Sequence, residues 1–85
     1  MKESNVIKNL VKLGNVRTDN PFGINKVHSV QGKLSEITVH TQDGEAIIYH
    51  VRRRNDVSDT QTDYFAGSMY KNMKGAVAKF LELEK

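Results

Sequence analysis

The sequence predicts an α+β fold: an N-terminal helix, an antiparallel three-stranded β-meander that extends to four strands if Thr62 to Phe65 pairs, and a C-terminal amphipathic helix packed on one sheet face. Three observations carry this. Leu34 to Asn55 reads as a β-hairpin, with Asp43-Gly44 as the turn and β-branched or aromatic residues on either side. Apolar residues recur every three or four positions near both ends, in Val6, Leu10 and Leu13 and again in Met69, Met73, Ala76, Val77, Phe80 and Leu81. The chain's single proline, Pro21, lies in a polar stretch and leaves the remaining segments free for regular structure.

The first helix is expected over about Asn5 to Leu13. Ser4 is the candidate N-cap, and Gly14 offers the position after the last turn that glycine ends cheaply. Asn15 to Gly23 reads as a loop. Within it Asn20-Pro21-Phe22-Gly23 is a turn signal, and Phe22 is expected to pack inward as an anchor. Ile24 to Gln31 is a strand candidate whose apolar residues do not alternate cleanly, and Gly32-Lys33 turns it back onto the hairpin.

Two hairpin loops compete at Asp43-Gly44. A two-residue loop would put Ile37 and Val39 opposite His50 and Ile48 and leave Ile47, Tyr49 and Val51 on the polar face. A three-residue loop over Gln42 to Gly44 instead pairs Val39 with Ile47, Ile37 with Tyr49 and Ser35 with Val51. That register puts Ile37, Val39, Ile47, Tyr49 and Val51 on one face, where each large side chain contributes roughly 1.5 to 3 kcal/mol on burial. Glu36, Thr38, His40, Ile48, His50 and Arg52 then occupy the opposite, open face. Asn55 to Thr62 reads as a polar loop. The last helix is expected from Ser68 or Met69 to Leu83, with Ser68 as cap, and Gly75 in its interior hints at close backbone packing.

Eighty-five residues fit one domain, 1 to 85, whose core must be small. The absence of cysteine excludes disulfides, thiolate chemistry and Cys-based zinc sites, and is compatible with a cytoplasmic address. The apolar residues near the N-terminus are too interrupted by lysine for a signal peptide or membrane span. Thirteen basic against ten acidic residues give +3 and a pI near 9.3, a mild version of a nucleic-acid binder's footprint.

The basic residues are the first functional candidates. Arg52-Arg53-Arg54 places three guanidinium groups at a strand end, and guanidinium suits phosphate geometry. Strand alternation sends Arg53 to the face opposite Arg52 and Arg54, so at most two act together. Lys33 near the first turn, and Lys71 and Lys74 on the last helix, extend the expected set. The order of elements and the basic last helix, Gly67 to Lys79, resemble loosely the double-stranded RNA-binding domain. Over the sheet and last helix alone they are similar to small DNA-binding domains of phage and transposon integrases. Met69-Tyr70 stands where the former family opens its last helix with a lysine pair, and no family is assigned.

A second set is Ile48, His40, His50 and Tyr70, exposed on the open sheet face or beside it and available to a protein partner. His28, Glu36 and His50 would line up across the strands as a His-Glu-His row if both turns hold three residues, but ordinary cross-strand polar pairing is the reading adopted, with no metal. Asp56, Asp59 and Asp63 lack calcium-loop spacing. No nucleophile arrangement or phosphate-loop motif stands out. The expectation is therefore a small non-enzymatic, phage- or mobile-element-like module without cofactor, binding duplex DNA or RNA through Arg52, Arg54, Lys71, Lys74 and Lys33. The alternative is an interaction or inhibitor protein using its sheet face or edge, homodimerisation through that edge included.

Overall fold

The computed structural model describes residues 1–20, 23, 25–54 and 68–85. The turn at Pro21-Phe22, the strand considered at 62 to 65 and the Asp56, Asp59 and Asp63 loop lie outside the described residues. The element order is α1 (Glu3–Val11), β1 (Arg17–Asp19), β2 (Asn25–Gln31), β3 (Ser35–Gln42), β4 (Glu45–Arg53), β5 (Ser68–Tyr70) and α2 (Met73–Leu83). The five strands form one antiparallel sheet in sequence order. The α+β class, the terminal helices and the meander agree with the sequence reading; the sheet gains a short strand at each edge.

Helix α1 starts two residues earlier than expected, and Ser4 is not its cap. Lys2 holds the N-cap position with no side-chain bond. The first helical N–H, that of Glu3, is instead satisfied by the carbonyl of Gly44 at 2.8 Å, while Ala46 donates to the Met1 carbonyl at 2.8 Å. The hairpin thus does the capping, and the chain start lies along the edge of β4. Val6 and Leu10 are fully buried, while Ile7 and Val11 face outward.

The central hairpin follows neither register considered. Asp43 and Gly44 both take positive φ, 53° and 78°, the primed two-residue turn whose twist matches the strands. Thr41 pairs with Ala46 and then His40 with Ile48, so Ile47 is an extra residue in a bulge. Beyond it Val39 pairs with Tyr49 and Ile37 with Val51. The bulge restores by one residue the alternation that the two-residue turn would have reversed. Ile37, Val39, Tyr49 and Val51 therefore share the core face as expected, but Ile47 does not: it is 48% exposed.

Both helices pack on that face, and the core comprises Val6, Leu10, Val30, Ile37, Val39, Tyr49, Val51, Met73, Ala76 and Phe80. Helix α2 begins at Met73, later than expected. Asn72 caps it by accepting from the N–H of Gly75 at 2.9 Å. The residues before it form β5, where Tyr70 pairs with Tyr49 and Met69 with His50. A Cβ on Gly75 would meet only ordinary van der Waals contacts, nearest 3.4 Å, so this glycine marks no close backbone approach. At the other edge β1 occupies part of the expected loop. It is three residues long, and Arg17 and Asp19 form an ion pair at 3.3 Å, which blunts the edge.

The opposite sheet face is not the wet surface expected. Val27, Ser29, Glu36, Thr38, His50 and Arg52 are each at most 8% exposed. Arg52 donates from Nε to Glu36 Oε1 at 3.0 Å, and Gln31 donates to Glu36 Oε2 at 3.0 Å, so both carboxylate oxygens have partners. A buried charge pair persists only when so satisfied. No helix among the described residues is long and apolar enough to cross a membrane.

Candidate functional site

At one end of the sheet the β2–β3 turn, the last residues of β4 and the C-terminal end of α2 converge. Gly32, Lys33 and Leu34 make the turn, closed by the Gly32 N–H donating to the Ser35 carbonyl at 2.8 Å. The next two amides point outward to one acceptor: Lys33 N–H reaches Glu84 Oε1 at 2.7 Å, and Leu34 N–H reaches Oε2 at 2.8 Å. The Ser35 hydroxyl donates to the same Oε2 at 2.9 Å. Successive amides aimed at an oxyanion form a concavity of fixed positive partial charge.

Glycine at position 32 makes this possible. A Cβ there would overlap the Glu84 carboxylate, so the carboxylate sits directly against the backbone. Partial burial opposes ionisation of Glu84, but the bonds from Ser35, Leu34 and Lys33 outweigh it and hold the carboxyl below the usual carboxylate range. Glu84 stands at the C-cap of α2, at the negative end of the helix, where a second negative charge is disfavoured by about 0.3 to 1 kcal/mol. The turn's donors, not the helix, keep it there.

The basic residues sort themselves around this point. Arg54 is tied to the turn twice, by its N–H to the Leu34 carbonyl at 2.8 Å and by Nη1 to the Gly32 carbonyl at 2.7 Å. Lys33 and Arg53 are exposed beside it. Arg52, expected to lie with Arg54 as a phosphate clamp, is instead 6% exposed and bonded to Glu36, so the solvent-facing arginine of the strand end is Arg53. Pleating does separate neighbours, as expected, but burial decides which of them meets solvent. Lys71, just before α2, and Lys74, in its first turn, are exposed, and the ten-residue rise from Lys74 to the C-cap Glu84 is roughly 15 Å. The basic set thus divides between the two ends of one helix.

A second polar cluster closes the opposite end of the core. His28 is 1% exposed and faces the helices. Its Nε2 lies 2.9 Å from Glu3 Oε2 and 3.2 Å from Thr41 Oγ1, and its Nδ1 lies 2.9 Å from Thr18 Oγ1. Thr41 donates to the same Glu3 oxygen at 2.6 Å. With Glu3 ionised, a neutral ring donates from Nε2 and accepts the Thr18 hydroxyl at Nδ1. The hydrogen bond from Thr41, then that from His28, with the charge of Lys26 at 3.6 Å, holds Glu3 below its ordinary range against the effect of burial. Every polar atom of the ring is used, and the cluster anchors α1 to the sheet.

This placement undoes the His-Glu-His row. His28 pairs with Val39 on the helix face, whereas Glu36 pairs with Arg52 and His50 with Thr38 on the other. Among the described residues no group of three or more His, Asp or Glu is disposed to hold a metal. Burial, with the neighbouring His50, lowers the pKa of His40. Of the residues considered for a protein partner, Ile48, His40 and Tyr70 are half-buried and His50 is buried.

Sequence reasoning missed Glu84, Gly32 and Ser35. Gly32 was readable as a turn residue, but nothing local links it to a carboxylate fifty positions away. Set against known protein families, curated proteins and solved structures, the chain matches none.

Proposed function

We propose that the chain is a small nucleic-acid-binding or regulatory module that contacts phosphates at the end of the sheet, through Lys33, Arg53 and Arg54, with Lys71 and Lys74 engaging the same backbone farther along. The observation that carries this reading is the β2–β3 turn: two backbone amides and a hydroxyl there hold an oxyanion, beside Lys33 and Arg54. Phosphate contacts of this kind position a protein on nucleic acid without specifying sequence. The net charge of +3 and pI near 9.3 support it. Arg52 is assigned no phosphate, because its guanidinium is committed to Glu36 inside the sheet face.

The test is duplex binding as a function of salt. Binding at about 50 mM salt that falls steeply as salt rises is the expected result, because each neutralised phosphate releases counterions. Absence of binding to both duplex DNA and duplex RNA, or binding insensitive to salt, overturns the reading. Docking of a protein on the sheet face has less support here: it would reach Ile48, His40 and Tyr70 only in part, and His50 hardly at all.

A further inference from the structure

The contact between Glu84 and the β2–β3 turn has the form of a ligand in a site. Its donors are the amides of Lys33 and Leu34 and the Ser35 hydroxyl, at 2.7, 2.8 and 2.9 Å. The missing side chain at Gly32 opens the space directly over the backbone that one carboxylate oxygen fills. Arg54, bonded to the Gly32 carbonyl at 2.7 Å, holds a cation against the same turn. Amides in sequence, a hydroxyl, a glycine and an adjoining arginine together suit a phosphate oxyanion as they suit a carboxylate, since a backbone phosphodiester likewise presents two anionic oxygens that accept from converging N–H and O–H donors.

The geometry points to a phosphate-binding site at Gly32–Ser35, of which the Glu84 carboxylate is the internal occupant. This deepens the nucleic-acid reading and rests on it for the source of the phosphate, a backbone diester. Glu84 is tethered, so it competes at an effective concentration on the order of millimolar. A free phosphate ion meets that competition unaided. A backbone phosphate held nearby by Lys33 and Arg53 has an effective concentration of its own, and displaces the carboxylate.

The experiment is a titration with inorganic phosphate at constant ionic strength, read on the backbone amides of Lys33, Leu34 and Ser35 by NMR. Glu84→Ala empties the site, and its three amides are expected to shift saturably with an apparent Kd lower by roughly tenfold or more than in the unsubstituted chain. Glu84→Gln keeps the helix end docked through one neutral acceptor and falls between the two. Adding Gly32→Ala to Glu84→Ala restores a methyl where the oxyanion must sit and abolishes the shifts. Gly32 does not occupy the left-handed region, so alanine there brings no backbone strain.

Equal phosphate affinity with and without Gly32→Ala, or no saturable shift at these amides in Glu84→Ala, overturns the site. If Glu84→Ala does not fold, the Glu84→Gln comparison decides alone, and an affinity no tighter than that of the unsubstituted chain overturns it. Duplex binding is measured separately on the unsubstituted chain. Its failure with phosphate binding retained sinks only the nucleic-acid reading, and the converse sinks only this site.

Discussion

Arg52 and Arg53 are adjacent and identical in chemistry, yet substitution should give opposite results. Arg53 is exposed at the strand end; Arg52 is 6% exposed, with its Nε bonded to a Glu36 that is itself 5% exposed. Arg53→Ala removes one phosphate contact and should lower the slope of log K against log salt by about 0.9. Between about 50 and 200 mM salt that changes the fall in affinity by roughly three- to fourfold, while stability stays within about 0.5 kcal/mol. Arg52→Ala leaves Glu36 buried without its charge partner, a loss of about 3 to 5 kcal/mol. For a chain of this size that lowers Tm by more than about 10 °C. The salt slope of the folded fraction should not change. Because a buried pair replaced as a unit by apolar residues is often neutral, Arg52→Met with Glu36→Leu should recover part of the lost stability. Thermal unfolding followed by circular dichroism, with duplex titrations at several salt concentrations, measures both quantities. An Arg52→Ala protein with unchanged Tm and a lowered salt slope would refute the assignment of the two arginines.

Three further outcomes follow from the geometry. Ile47→Ala should cost no more than about 1 kcal/mol, since the side chain is 48% exposed in its bulge, whereas Ile37→Ala, at 0%, should cost about 2 to 5 kcal/mol; equal losses in denaturant unfolding would return Ile47 to the core. Gly75→Ala should stabilise by up to about 1 kcal/mol, because the added methyl meets nothing closer than 3.4 Å; a destabilised variant would show that the first turn of α2 is tighter than described. Glu3 and Glu84 both have carboxyl groups held below their ordinary range, so the unfolded chain binds protons first as pH falls. Their stabilisation is then complete above the unfolded value near 4.3 and is lost as pH drops through the lower folded values. Urea unfolding at descending pH should show this loss, and Thr41→Val and Ser35→Ala should each make it shallower; an unchanged profile in both would count against these bonds.

Much of the fold was legible in the residues. Helical spacing identified the buried positions Val6, Leu10, Met73, Ala76 and Phe80, although the same stripe took in Met69 and Leu81, which are exposed; pleat alternation with a demand to bury large groups put Ile37, Val39, Tyr49 and Val51 on one face. These are local, periodic signals backed by burial of a few kcal/mol per residue, and they survive errors of register. The edges were not legible. Arg17–Asp19 and Ser68–Tyr70 are strands because a neighbour offers hydrogen-bond partners, and the first turn of α1 is capped by the carbonyl of Gly44 rather than by Ser4.

The candidate site divides the same way. That Arg52, Arg53 and Arg54 sit at a strand end, and that Gly32 marks a turn, could be read from the chain. Which arginine faces solvent depended on a bulge of one residue at Ile47 and on the carboxylate of Glu36 across the ladder. That Gly32, Lys33, Leu34 and Ser35 form a receptor depended on Glu84, which lies about fifty positions away in sequence and at hydrogen-bond distance in space. Sequence determined the periodicities, because each residue's preference acts on its near neighbours. Tertiary structure alone determined the pairings, because a hydrogen bond or buried ion pair exists only where two distant segments are brought within about 3 Å.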